Sequence, residues 1–267
     1  MNDPLWFIGG DARSFHAAAY LSGKGIEVHC HMVPGLPDEP LPDVIRVLAL
    51  PFPSLSGDKL RGRNALPIAP ILARVARGGV IYGGKLEALR CEQARLVDLF
   101  GTEPMSSLNA VPTAEGAILL ALQSLGRTLS GAECLVCGYG RCGKVLAQKL
   151  AALGTLVTVA ARKPADLALA RALGHEAVFL GSLHELHRFD AIFNTVPSPV
   201  LAAEAFPGFS GRYFELASPP GGLVDGAKNA LGEHFIDARS LPGRFFPITA
   251  GKLYGEAIRK HWKEEFS

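Results

Sequence analysis

Three glycines set between an apolar run and a helix-forming stretch constrain this chain more than any other feature. From Leu135 to Gly154 it reads LVCGYGRCGKVLAQKLAALG: the apolar run stops at Gly138, passes Tyr139, Gly140, Arg141 and Cys142 to Gly143, and continues with Val145, Leu146, Leu150 and Leu153 at helical spacing. A strand that enters a helix through G-x-G-x-x-G opens a βαβ unit. Gly138 then permits the tight turn, Gly140 lets the backbone approach a pyrophosphate, and Gly143 lets helix lie against strand. The amides at the helix start attract phosphate oxygens. A βα turn that binds nothing is the plain alternative, and the position after the second strand bears on it. In the NAD pattern an Asp or Glu about 20 residues on takes the ribose 2′-hydroxyl. Here the second strand, LVTVAARK, presents Arg162 and Lys163. A guanidinium pairs with a 2′-phosphate and lies over adenine, so NADP is expected in preference to NAD. The alternative for Arg162 is a solvated charge at a helix start.

The same alternation of apolar, β-branched runs with helical stretches occurs twice, which predicts an α/β protein of two Rossmann-like domains with mostly parallel sheets. The first half offers strands at Leu5 to Ile8, Ile26 to His31, Ile45 to Leu50 and Val80 to Tyr82, and helices at Arg13 to Ser22, Ile68 to Arg77 and Glu87 to Phe100. In the second half, strands are expected at Cys134 to Cys137, Leu156 to Ala161, Ala177 to Leu180, Ala191 to Thr195, Tyr213 to Leu216 and His234 to Ile236. Residues 34–70, dense in Pro and Gly, read as a wandering connection around one short strand. Thr113 to Leu125 reads as a buried crossover helix. The last helix, Thr249 to Phe266, is expected to return to the first domain. The division is therefore 1–125 plus 250–267, flavodoxin-like or Rossmann-like and holding substrate, and 126–249, a doubly wound dinucleotide-binding domain.

Charge and cysteine content narrow the chemistry. With 27 basic and 25 acidic residues and no block of like charges, the chain offers no footprint for nucleic acid or an anionic membrane. No apolar run is read as long enough to span a bilayer, and the start lacks a secretory signal, so a cytoplasmic location is expected. Five cysteines, an odd number, read as free thiols. Cys134 and Cys137, three apart on one strand, point to opposite faces, and neither His29 to His31 nor His184 to His187 has a matching second pair, so no metal site is expected.

Several further stretches converge on one family. GGDAR at Gly9 to Arg13, NAVPTAEG at Asn109 to Gly116, GYGRCG at Gly138 to Gly143, NTVPSP at Asn194 to Pro199, ELASPPGG at Glu215 to Gly222 and LPGRFFPITAG at Leu241 to Gly251 occur in order along nearly the whole chain. In these the chain resembles the A subunits of dipicolinate synthase, with Pro219 standing where that pattern has Arg. The resemblance implies oxidation of dihydrodipicolinate, a small cyclic imine dicarboxylate, to aromatic dipicolinate. NADP is the implied hydride acceptor, in a cleft between the domains. It also implies a flavoprotein-like B subunit, a homo-oligomer and the mother cell of a sporulating bacterium.

Candidate residues come from loops at the carboxyl ends of the expected strands. Asp11 and Arg13 can clamp a carboxylate, the alternative being an Asp helix cap beside a surface Arg. Asn109 and Thr113 can donate hydrogen bonds and Glu115 can be the base. The alternative makes Thr113 an N-cap and Glu115 a first-turn acid. Arg244 and Thr249 form a second carboxylate site or a charged loop. On the cofactor side stand Gly138, Tyr139, Gly140, Arg141, Cys142 and Gly143 in the turn, Arg162 and Lys163 at the 2′-phosphate, Thr195, Val196 and Pro197 under the nicotinamide ribose, and Ala217 and Ser218 beside the nicotinamide. Two other readings stay open: an NADP-binding scaffold or sensor protein without activity, and a dehydrogenase of a 2-hydroxy or 2-amino acid.

Overall fold

The computed structural model describes residues 3–62 and 65–266. In chain order the first elements are β1 (Leu5–Ile8), α1 (Ala12–Ser22), β2 (Val28–His31), β3 (Ile45–Ala49), β4 (Leu55–Ser56), β5 (Lys59–Leu60), α2 (Ala69–Leu72), β6 (Val75–Gly83), β7 (Ala94–Asp98) and α3 (Met105–Leu108). There follow α4 (Ala110–Ser124), β8 (Glu133–Cys137), α5 (Arg141–Ala152), β9 (Leu156–Ala161), α6 (Pro164–Ala172), β10 (Glu176–Phe179), β11 (Ala191–Asn194), β12 (Arg212–Glu215), α7 (Ala227–Leu231), β13 (Phe235–Asp237), α8 (Leu241–Phe245) and α9 (Pro247–Phe266). They form two units, Met1–Asn109 with Pro242–Ser267, and Ala110–Leu241.

The first unit is built on a parallel sheet in the order β2-β1-β3-β6-β7, the doubly wound 2-1-3-4-5 arrangement. The interior strand β1, LWFI, is buried at every position because both faces are covered. Leu5 and Phe7 join a core with Ala17 and Leu21 of α1 and Tyr254 and Ile258 of α9. Trp6 and Ile8 face the opposite core, formed with Leu60, Ile71, Leu86 and Leu89. Helix α9 approaches α1 closely because Gly251 and Gly255 carry no side chain. A Cβ at Gly251 would lie 2.5 Å from the Arg13 carbonyl oxygen, and one at Gly255 2.8 Å from the Tyr20 ring.

Two expected helices give way to strand. Residues 87–100 have helical spacing, yet Ala94–Asp98 is strand β7, pairing with β6 from Gly79↔Ala94 to Gly83↔Asp98. The helix expected over Ile68 to Arg77 stops at Leu72, since Val75 already pairs with Ile45 of β3. Sheet hydrogen bonding, a non-local gain, outweighs the local pattern in both places.

The second unit carries a six-stranded parallel sheet ordered β10-β9-β8-β11-β12-β13, the 3-2-1-4-5-6 order of dinucleotide-binding folds. Its strand order reverses between β8 and β11. Helix α4, expected in the first domain, belongs here and packs on α5 and β12. It starts at Ala110, three residues before the expected Thr113, with Pro112 tolerated in the first turn. Contrary to the expectation that no stretch could span a bilayer, Met105–Ser124 is long and apolar enough to do so by length and composition. Ala110, Ala114, Ala117 and Ala121 of this stretch are buried in the protein.

Candidate dinucleotide site and the glycine turn of the first unit

At the end of β8 the chain turns through Gly138, whose φ of +92° favours glycine. A Cβ there would stand 2.4 Å from Thr195 Oγ1 and 2.9 Å from Val196 Cγ2, so the turn and the loop after β11 touch at the switch point. Gly143 is needed for helix packing: its Cβ would fall 2.1 Å from the Gly138 carbonyl oxygen. Gly140, the N-cap of α5, differs from both, because a Cβ there would meet nothing within 4 Å. Protein packing does not demand glycine at 140. Its open side, beside first-turn amides that no intrahelical carbonyl reaches, suits close approach of a phosphate group.

Around this turn the predicted cofactor residues take distinct places. Tyr139 is 3% exposed and its hydroxyl has no hydrogen-bond partner among the described residues. Burial first, and then the nearby Asp166 charge, push that phenol up. Lys144 lies 5.5 Å over the Tyr139 ring and 3.5 Å from Asp166. Arg141 is exposed on the first turn of α5. Burial holds the Cys142 thiol above its ordinary value, against the opposing Arg141 charge and a hydrogen bond with Thr113. Arg162 and Lys163 follow β9, both exposed, with Lys163 the N-cap of α6 and neither in an ion pair among the described residues. Thr195 donates from Oγ1 to the Cys137 carbonyl at 2.8 Å, Val196 is buried and Pro197 exposed. Ala217 is buried and Ser218 half-buried in the loop after β12.

Two residues that sequence reasoning passed over organise these loops. Asn194 ends β11 and Glu215 ends β12, side by side in register and both buried. Their sequence signal is a polar residue closing a short strand, after AIF in β11 and RYF in β12. Burial and the Glu215 charge push the Tyr213 phenol up, so it serves as a donor. Cys134 and Cys137, both fully buried, are pushed up to about 12, chiefly by burial.

In the first unit the GGDAR stretch follows β1, beside β3, where that sheet's order reverses. Gly10 has φ +104° and bridges Gly62. Asp11 caps α1, its Oδ1 accepting from the Arg13 amide at 2.9 Å. The same carboxylate holds the Arg13 guanidinium in two-point contact, Nε to Oδ1 at 2.9 Å and Nη2 to Oδ2 at 2.7 Å. The Arg13 side chain is 12% exposed. It packs over Gly243, where a Cβ would come 2.6 Å from Nε. Arg244 is exposed and stacks 4.7 Å over Phe245, while Thr249 is exposed in the first turn of α9. Asn109 caps the end of α3.

Glu115 does not join the turn. It is exposed and accepts from Lys149 Nζ at 2.8 Å. Lys149 lies seven residues beyond Cys142, about 10 Å along α5. Thr113, in contrast, reaches the turn through Cys142.

Strand order, switch point and glycine turn together define an α/β protein with the doubly wound fold of dinucleotide-binding domains. No family model matches the chain. It is 34% identical to the dipicolinate synthase A subunit of Bacillus subtilis over 68% of this chain, a stretch spanning 64% of that relative's own length. The fold superposes on the dipicolinate synthase A subunit from Bacillus halodurans with a TM-score of 0.87 and 25% identity, covering 98% of each chain. For the A chain of dipicolinate synthase from Bacillus subtilis the TM-score is 0.84 at 27% identity, over 99% of this chain and 97% of that one. A transhydrogenase from Sinorhizobium meliloti shares the fold, with a TM-score of 0.65 at 13% identity over 98% of this chain and 93% of that one. The chain belongs to the family of dipicolinate synthase A subunits.

Proposed function

We propose that this chain is an NADP-dependent oxidoreductase that converts dihydrodipicolinate to dipicolinate, acting as a homo-oligomer together with a flavoprotein-like second subunit in the cytoplasm of a sporulating bacterium. The observation that carries the cofactor part is the β8–α5 turn, where Gly138 and Gly143 are required by packing but Gly140 is not. The two positions directly after β9 carry Arg162 and Lys163, both exposed, in place of a carboxylate, which supports NADP over NAD. Bound NADP supplies the hydride acceptor. The substrate ring gives up one hydride and one proton and becomes aromatic.

The protein's part is binding, orientation and proton management. Asp11 occupies the Nε, Nη2 edge of Arg13 and fixes its plane, leaving Nη1 to donate to one substrate carboxylate. Arg244 and Thr249 serve the second carboxylate, and Asn109 and Thr113 supply hydrogen bonds. Glu115 acts as base only on leaving Lys149, a small cost for an exposed pair.

A non-catalytic NADP-binding role is the second reading, favoured by the internal engagement of Arg13 with Asp11 and of Glu115 with Lys149. Absorbance of reduced nicotinamide separates the two. Mixing the chain with NADP and dihydrodipicolinate generated in place should produce reduced cofactor and dipicolinate together. Cofactor binding without turnover, with or without the second subunit, would transfer the case to the second reading. Arg162→Ala should weaken NADP about ten- to a hundredfold, the worth of a charged hydrogen bond, and leave NAD little changed. Equal loss for both would remove Arg162 as the selector.

A further inference from the structure

Both oxygens of the buried Glu215 side chain are filled by donors. Oε1 accepts from Asn194 Nδ2 at 2.7 Å and from the Ala217 amide at 3.0 Å. Oε2 accepts from Tyr213 OH at 3.1 Å and from the Gly222 amide at 2.9 Å. Four donors surround it, a set that matches a carboxylate, which only accepts. Asn194 is used as fully: its second amide hydrogen goes to the Val196 carbonyl at 3.0 Å, and its Oδ1 takes the Val196 amide at 3.1 Å.

This pair explains the two glycines of ELASPPGG. A Cβ at Gly221 would come 2.9 Å from Glu215 Oε2, and one at Gly222 2.3 Å from Asn194 Nδ2. The backbone of 217–222 is wrapped around the carboxylate. The network also continues to β8, since Thr195 follows Asn194 directly, bonds Cys137 through its hydroxyl and abuts Gly138. Three strand ends are thus tied into one rigid rim. Buried networks satisfied at every atom hold a single geometry.

We infer that Glu215 is a positioning residue for the nicotinamide end of the dinucleotide site. Through Asn194 and the amides of Ala217 and Gly222, it sets the loops after β11 and β12 against the glycine turn. The inference rests on the cofactor reading above. Glu215 is not the proton acceptor, because every partner it has is a donor already bound to it. Glutamine is the same size but turns an amide nitrogen toward two of those donors, one of them a loop amide, so the isosteric replacement breaks the rim. The adenine end, held by the turn and the loop after β9, does not depend on the carboxylate.

The test compares two ligands on the intact chain by calorimetry: adenosine 2′,5′-bisphosphate, which carries only the adenine half, and NADPH. In Glu215→Gln the bisphosphate should bind within about twofold of wild type and NADPH about tenfold or more weakly, the worth of a lost hydrogen bond. Gly222→Ala, which leaves the carboxylate in place but displaces the loop, should give the same split and serves if Glu215→Gln does not fold. Tyr213→Phe removes a donor without a loop amide and should leave both affinities near wild type while lowering thermal stability. Equal losses of both ligands, or no loss of either, in the folded variants would overturn the inference and leave Glu215 a stabilising residue. If wild type binds neither ligand, the cofactor reading itself fails.

Discussion

Gly140 and Gly143 stand three residues apart at one helix start, yet alanine should affect them in opposite ways. At 143 the new Cβ would lie 2.1 Å from a backbone oxygen, so helix α5 must move off the turn. Overpacking of this kind costs about 1–3 kcal/mol, and Gly143→Ala should melt at a lower temperature and bind nucleotide poorly. At 140 the Cβ enters open space. Gly140→Ala should keep the wild-type melting temperature and lose affinity for NADP only. A stability loss in Gly140→Ala, or none in Gly143→Ala, read by calorimetric melting, would contradict the assignment of roles. The three glycines were legible in the sequence because they fall at fixed spacing between one apolar run and one helix-forming stretch. Asn194 and Glu215 were not, since each is a single residue closing a short strand and only the pairing of β11 with β12 sets them together.

Among the elements, edge strand β2 carries a pH-sensitive clasp. His29 Nδ1 lies 2.6 Å from Glu39 Oε2, and Glu39 Oε1 accepts from the Cys30 amide, so the 32–39 segment is tied back to the strand. The Glu39 hydrogen bond, opposed by burial and helped by Glu27, raises His29 above its ordinary 6.5. The His29 hydrogen bond lowers Glu39 below its ordinary 4.5, against burial. A raised histidine stabilises the fold fully below 6.5 and loses that contribution as pH rises through its folded value. A lowered carboxylate contributes above 4.5 and loses it as pH falls. The clasp is therefore strongest between about pH 4.5 and 6.5. Glu39→Gln should lower the melting temperature most near pH 5.5 and least above pH 8; a pH-independent difference would remove the ion pair as its cause. The effect is small, because both side chains are close to a third exposed or more. Elements with a clear period, such as α1, β9 and α9, were legible. Residues 94–98 were not, because helical spacing in an edge segment says nothing about the neighbouring strand that recruits it.

For the whole molecule, the two sheets make the cofactor reading testable by where protection falls. Saturating NADP at a hundred times its dissociation constant should stabilise the fold by about 2.7 kcal/mol. Slowed amide exchange should concentrate in 138–143, 162–163, 195–197 and 216–222, and slowing spread evenly over both sheets would contradict a site built from those loops. The sequence by itself determined the α/β class, the parallel sheets, the dinucleotide turn and the basic position after its second strand. Each is written in a few consecutive residues through periodicity, glycine or charge. Only the tertiary structure decided that α4 belongs with the second unit, that Glu115 is held by Lys149, and that Glu215 anchors two loops. Each of these depends on which elements lie side by side, and local sequence does not encode that adjacency.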